Sequence, residues 1–206
     1  MEIVADRVTV RGAHGPMLLP TTLWARTGDV SLVVGAPGDG HVALALVLGG
    51  QLEPSSGRVT VGGSADREVL RRRTALVDVP RVTEPEPGIP VRAVIGEELA
   101  LSGQPARPKD VAAFLAEHDG TGLASERFEN VPPAVRTDWL ARLAALRGGV
   151  DVLVLAHPDR FGGEPTAWWD LAQQLAEGNR AVVVQCTHVS ARLLGRHDYA
   201  EVGAGA

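Results

Sequence analysis

The hydrophobic pattern of this chain alternates between short apolar runs and amphipathic stretches. Residues 4–10, 30–34, 74–78, 152–155 and 181–186 predict strands, and several are nearly unbroken in Val, Leu and Ala, as strands buried on both faces of a parallel sheet are. Residues 41–48 are apolar and free of Gly and Pro, which predicts a buried helix soon after the second strand. A Pro-Ser-Ser-Gly turn at 54–57 leads into a short alternating strand, and Ser64 stands where it can cap a helix over 66–73. Prolines and glutamates break up 80–90 into a loop, and helices are predicted over 91–101, 109–117, 133–146, 165–177 and 190–194. Strands separated by helices of this length imply parallel pairing with right-handed crossovers, so the fold class is α/β. Residues 1–206 read as a single domain in which 91–147 form an inserted helical lobe, with the final residues frayed.

Composition narrows the possibilities. Apolar residues make up 45% of the 206, yet no apolar run approaches the roughly 20 residues that span a bilayer. A net charge of −5 and the lack of a basic tail argue against nucleic acid as a partner. The single Cys186 excludes an intrachain disulfide and fits a reducing compartment, and no secretory leader pattern opens the chain, so a cytoplasmic location is expected. Basic residues are nearly all Arg, with Lys109 the one Lys. Exchange of a Lys under such a bias would ordinarily give Arg and keep the charge.

That matters at one segment. Gly35, Ala36, Pro37, Gly38, Asp39, Gly40, His41 and Val42 have the spacing of the phosphate-binding loop G-x-x-x-x-G-K-[ST], and they lie between a predicted strand and a predicted helix. Glycines in such a loop turn backbone N–H groups toward phosphate oxygens, the Lys neutralises charge, and the hydroxyl holds Mg²⁺. Here His41 replaces the Lys and Val42 replaces the hydroxyl residue.

With these pieces in order the chain resembles the ATP-binding subunit of ABC transporters over nearly its whole length. The resemblance rests jointly on residues 35–42, on the Leu48–Gly63 stretch with its Pro-Ser-Ser-Gly, on Arg71 to Val77, on Ala141-Arg142-Leu143, on 152–155 as the Walker B strand, and on 182–188 ending in the switch residue His188. It implies a P-loop NTPase sheet, mostly parallel, with an antiparallel β flank near the N-terminus. It also implies that Ala156 stands for the Mg²⁺-associated Asp, His157 for the catalytic Glu and Pro80 for the Q-loop Gln, while Asn130 to Ala134 replace Leu-Ser-Gly-Gly-Gln with two prolines. At the adenine-stacking position only His14 offers a ring. Phosphoryl transfer depends on positioning and on charge stabilisation by metal and cationic groups. With those groups replaced together, no catalytic residue is expected beyond the remnant His188.

The leading reading is a divergent ATP-binding subunit attached to a membrane permease at the inner face of the membrane, with hydrolysis weak or absent. A second ATP-binding subunit or a homodimer would complete the site. ATP binding stays open, because the loop backbone remains and its charged partners do not; Mg²⁺ is not expected. The alternative is a catalytically dead pseudo-ATPase serving as a structural or regulatory protein-interaction module. A third reading makes His41, His157 and His188 a converging cluster that holds an anion or Zn²⁺, against the plainer one in which each fills an abandoned polar position. Trp139, Trp168 and Trp169 read as core, with an interface as the other option. Glu84-Pro-Glu-Pro87 reads as either a stiff turn or a recognition element facing a membrane subunit.

Overall fold

The computed structural model describes residues 1–203 of the chain. The expectation of a frayed terminus concerns mainly residues outside that range. Two sheets make up the framework: β1 (Glu2–Gly12), β2 (Gly15–Arg26) and β4 (Ser56–Val61) form an antiparallel sheet in the order β2-β1-β4. A parallel sheet is built from β3 (Val30–Val34), β5 (Thr74–Val77), β6 (Val152–Ala156), β7 (Ala181–Cys186) and β8 (Ala200–Glu201) in the order β5-β6-β7-β3-β8. The α/β class with its antiparallel flank is therefore present.

The unbroken apolar runs of β6 and β7 have a direct cause. Leu153, Leu155, Val182, Val184 and Cys186 face one hydrophobic core, and Val152, Val154, Ala156, Ala181 and Val183 face another. Because side chains alternate across a strand, burial on both faces makes nearly every position apolar, and the one polar residue of the two strands, Gln185, is hydrogen-bonded. The first core is completed by α3 (Val91–Leu101), α4 (Pro108–Glu117), α5 (Pro133–Ala145) and α6 (Pro165–Glu177). The second is closed by α1 (Asp39–Leu48), the antiparallel sheet and Leu70 of α2 (Arg67–Arg73). Among the described residues no helix is long and apolar enough to cross a membrane.

Several elements differ from the sequence reading. β2 was not anticipated: Pro16 and Pro20 break its pattern, but it is the outer strand of its sheet, where a missing N–H costs no ladder bond. β8 was also missed, since two residues carry no periodicity; it is held by pairing of Ala200 with Val33 and Glu201 with Val34. Asp66, not Ser64, caps α2, its carboxylate accepting from the Glu68 N–H at 2.7 Å. The last helix, α7 (His188–Leu193), begins two residues earlier than its pattern suggests, because Thr187 caps it and accepts from the Ser190 N–H. Trp139 and Trp168 are buried in the core, and Trp169 is only partly covered, with the Arg196 guanidinium 4.4 Å from its ring centre.

Candidate functional site

Three segments leave the C-terminal ends of neighbouring strands: the glycine loop after β3, His157 to Phe161 after β6 and Thr187 after β7. Clefts of α/β sheets form at such ends. Gly38 precedes α1, and Asp39, Gly40 and His41 make its first turn. Asp39 points outward, its Oδ1 2.8 Å from Arg81 Nη2 in an exposed ion pair.

His41 turns inward instead and is 1% exposed. Its Nε2 lies 2.9 Å from where a β-carbon on Gly35 would stand, and Val202 Cβ lies 3.0 Å from that same point. Gly35 is thus needed for close approach, since any larger residue would collide with the imidazole and with the segment following β8. Neither ring nitrogen of His41 has a hydrogen-bond partner in the protein. Burial, followed by the neighbouring His157, pushes the His41 pKa down to about 3, and the Gly35 backbone and Asp159 oppose this only in part. The imidazole is accordingly neutral and supplies none of the positive charge a Lys would bring.

His157 meets it edge to face, with ring centres 4.1 Å apart. His157 adopts a left-handed backbone (φ 49°), a conformation that costs most residues on the order of 1–2 kcal/mol but that His tolerates better than bulky or branched residues. The strain is held by its N–H donating to the Gln185 carbonyl at 3.0 Å and by the following single turn, residues 158–161. That turn carries Asp159 to the start of α7. Its Oδ2 accepts from Thr187 N (2.9 Å), Thr187 Oγ1 (2.8 Å) and Ser190 Oγ (2.6 Å), and its Oδ1 lies 3.5 Å from His157 Nδ1. Burial alone would raise the Asp159 carboxyl, but His157, Ser190 and Thr187 together hold it well below the usual carboxylate range.

His188 does not join the pair. As the first residue of α7 its side chain is 45% exposed, with Nε2 3.8 Å from Glu201 Oε1 on β8 and its ring near Tyr199. The three-histidine cluster therefore fails to assemble, and among the described residues no three His, Cys, Asp or Glu side chains are placed to hold a metal ion. The reason lies in the helix cap: Thr187 starts α7, so His188 turns along the helix surface instead of continuing the alternation of β7. His14 lies exposed in the turn between β1 and β2. Pro132 and Pro133 start α5, with Pro133 at the first helical position, where its missing N–H costs the helix nothing but also leaves no donor.

Two residues of the site escaped sequence reasoning. Gln185 is fully buried, and its Nε2 donates to the His41 carbonyl at 2.9 Å, tying the first turn of α1 to β7. Its one signal was an amide within an otherwise apolar strand. Asp159 had none, because its partners come from a helix start about 30 residues further on.

A groove of about 420 Å³ lies between α3, α5 and the loop after β5, lined by Glu84, Pro85, Glu86, Glu97, Glu98 and Leu101 among others. Glu84, Pro85 and Glu86 thus contribute a wall of it. Burial, then Glu97 and Asp78, push the Glu98 carboxyl up to about 7.

No protein-family model matches the chain. It is 32% identical over 143 residues to the multidrug efflux ATP-binding/permease proteins of Mycobacterium bovis and Mycobacterium tuberculosis, a match covering 66% of the chain. The chain spans about a tenth of the length of these relatives, the match covering 11% of each. Among solved structures, it is similar to a putative ABC transporter ATP-binding protein from Pyrococcus furiosus, with TM-score 0.65, 15% identity and 90% of both chains covered. It is also similar to a dimeric ATP-binding cassette in a post-hydrolysis state bound to ADP and Pi, with TM-score 0.68, 18% identity, 99% of this chain and 100% of that one covered. The strand order, the glycine loop at the end of β3 and these likenesses agree: the chain has the fold of ABC-transporter ATP-binding proteins.

Proposed function

We propose that the chain is a divergent ABC-type ATP-binding subunit that docks on a membrane permease and does not itself turn over ATP. The observation carrying this reading is the His41–His157 contact. The residue in the Lys position and the residue in the catalytic Glu position are packed against each other and buried, and His41 has no charge to offer. Three groups on which phosphoryl transfer depends in the family are replaced here: the Lys by His41, the loop hydroxyl by Val42 and the Mg²⁺-associated carboxylate by Ala156. Losing one such group typically costs about 10²–10³ in rate, and the losses act as a unit. Mg²⁺-ATP does not fit this donor set. ATP without metal would have only the loop backbone and the helix start, at roughly 0.3–1 kcal/mol for an exposed helix dipole.

The groove beside Glu84 to Glu86 supports the docking half of the reading, as Glu86 and Glu97, with Arg147 the one basic residue of its lining, offer a concave surface to a basic segment of a permease at the inner face of the membrane. A pseudo-ATPase that serves as a regulatory module without a permease is the second reading, favoured by Val202 and His41 closing on Gly35 from two sides. Phosphate release measured with Mg²⁺-ATP at millimolar concentration tests the first half. Turnover above that of a Gly40→Asp control would overturn it. Affinity purification from detergent-solubilised cells tests the second half: a stoichiometric membrane permease supports docking, and recovery of the chain with soluble proteins only would favour the module.

A further inference from the structure

The helical lobe is joined to the sheet by a charge cluster built around a buried ion pair. Asp78 directly follows β5 in a left-handed backbone (φ 57°) and is 8% exposed. Arg136, at the end of the first turn of α5 and 4% exposed, binds it through two parallel hydrogen bonds, Nε to Oδ2 at 2.8 Å and Nη2 to Oδ1 at 2.7 Å. Arg160, from the turn after β6, adds Nη2 to Asp78 Oδ1 at 2.8 Å and to Glu84 Oε1 at 3.2 Å, while its Nη1 donates to the Ala156 carbonyl at 2.9 Å. The Arg136 guanidinium also lies 4.7 Å from the Phe128 ring centre and 4.3 Å from that of Phe161. Two carboxylates and two guanidiniums balance, so the cluster carries no net charge into the interior.

We infer that Asp78, Glu84, Arg136 and Arg160 form a latch that holds the helical lobe in one orientation on the sheet without nucleotide. The chemistry favours this role over simple filling. A buried ion pair adds little net stability compared with apolar residues of the same volume, but it has one satisfied geometry, and breaking it leaves an uncompensated charge. Planar guanidinium forks restrict that geometry further. The four residues come from segments that must keep their relative positions: Asp78 from the end of β5, Glu84 from the loop after it, Arg136 from the start of α5 and Arg160 from the turn that carries His157 and Asp159. Arg160 thereby joins the latch to the histidine pair. The lobe keeps this orientation whether ATP is added or not.

The inference rests on this geometry and stands whether or not the chain docks on a permease. Hydrogen exchange, read by mass spectrometry on the full chain, tests it. In wild type, amides of α3, α4 and α5 should exchange at the same rates with and without Mg²⁺-ATP. In D78N they should exchange about tenfold faster while amides of β3, β6 and β7 keep their protection. R127Q, which removes only an exposed pair with Glu129 in the same lobe, should match wild type. Should D78N fail to fold, R160Q decides: it removes one arm and should speed exchange in the first turns of α5 about threefold. Equal lobe exchange in wild type and the soluble latch variant, or a change in wild-type lobe exchange on adding nucleotide, would overturn the latch.

Discussion

The neutrality of His41 makes a quantitative prediction about acid stability. In the unfolded chain this histidine takes up a proton as pH falls through 6.5; in the folded chain it does not until about 3. Between those values the unfolded state binds one proton more than the native state, so stability declines as pH drops, by about 1.4 kcal/mol per pH unit. From this group alone the loss is ~2 kcal/mol at about pH 5 and approaches ~5 kcal/mol near pH 3, a large part of the 5–15 kcal/mol that a domain typically has. Other groups titrate in the same range, so the measurement is a difference. Urea unfolding of wild type and His41→Leu should be followed between about pH 7.5 and pH 4. Leucine fills a comparable volume and removes two buried nitrogens that have no protein partner. Near pH 7.5 the variant should be at least as stable as wild type, and between there and pH 5 its lead should grow by about 2 kcal/mol. Parallel pH profiles would show that the His41 ring reaches solvent or a partner in solution, and the assignment of the loop as closed by its own side chain would fail.

Further outcomes follow from other groups. Glu98 holds its proton to about 7 in the folded chain, against 4.5 ordinarily, so native stability should fall as pH rises between those values. In Glu98→Gln that decline should be absent from the unfolding free energy. Gly120→Ala places a β-carbon 2.5 Å from Trp139 Cζ2 and 2.8 Å from Leu115 Cδ2, an overpacking that should cost about 1–3 kcal/mol in urea unfolding. Cys186 is fully buried, and burial, followed by Asp159, pushes its thiol up to about 12. A thiol reagent should therefore label the native protein at the rate of global opening and the urea-unfolded protein within minutes; fast native labelling would contradict the packing of β7.

The chain's own pattern was enough to reveal the α/β class and most of the elements, because burial on both faces of β6 and β7 leaves the alternation of polar and apolar residues little room and marks those strands plainly. The glycine loop between β3 and α1 was equally legible, since spacing within one turn is local. What the sequence could not determine depends on residues far apart in the chain. The two prolines of β2 are acceptable only because that strand lies at a sheet edge, and β8 exists only because β3 offers it a partner. His41 and His157 meet while His188 does not, a division decided by the Thr187 cap and the left-handed turn at His157, neither of which leaves a periodic trace. Asp78 and Arg136, 58 positions apart, show the same limit. A hydrophobic pattern records which faces are buried, but a hydrogen-bonded charge cluster is specified by angles and distances among a few side chains, and those exist only once the core has brought the strands and helices together.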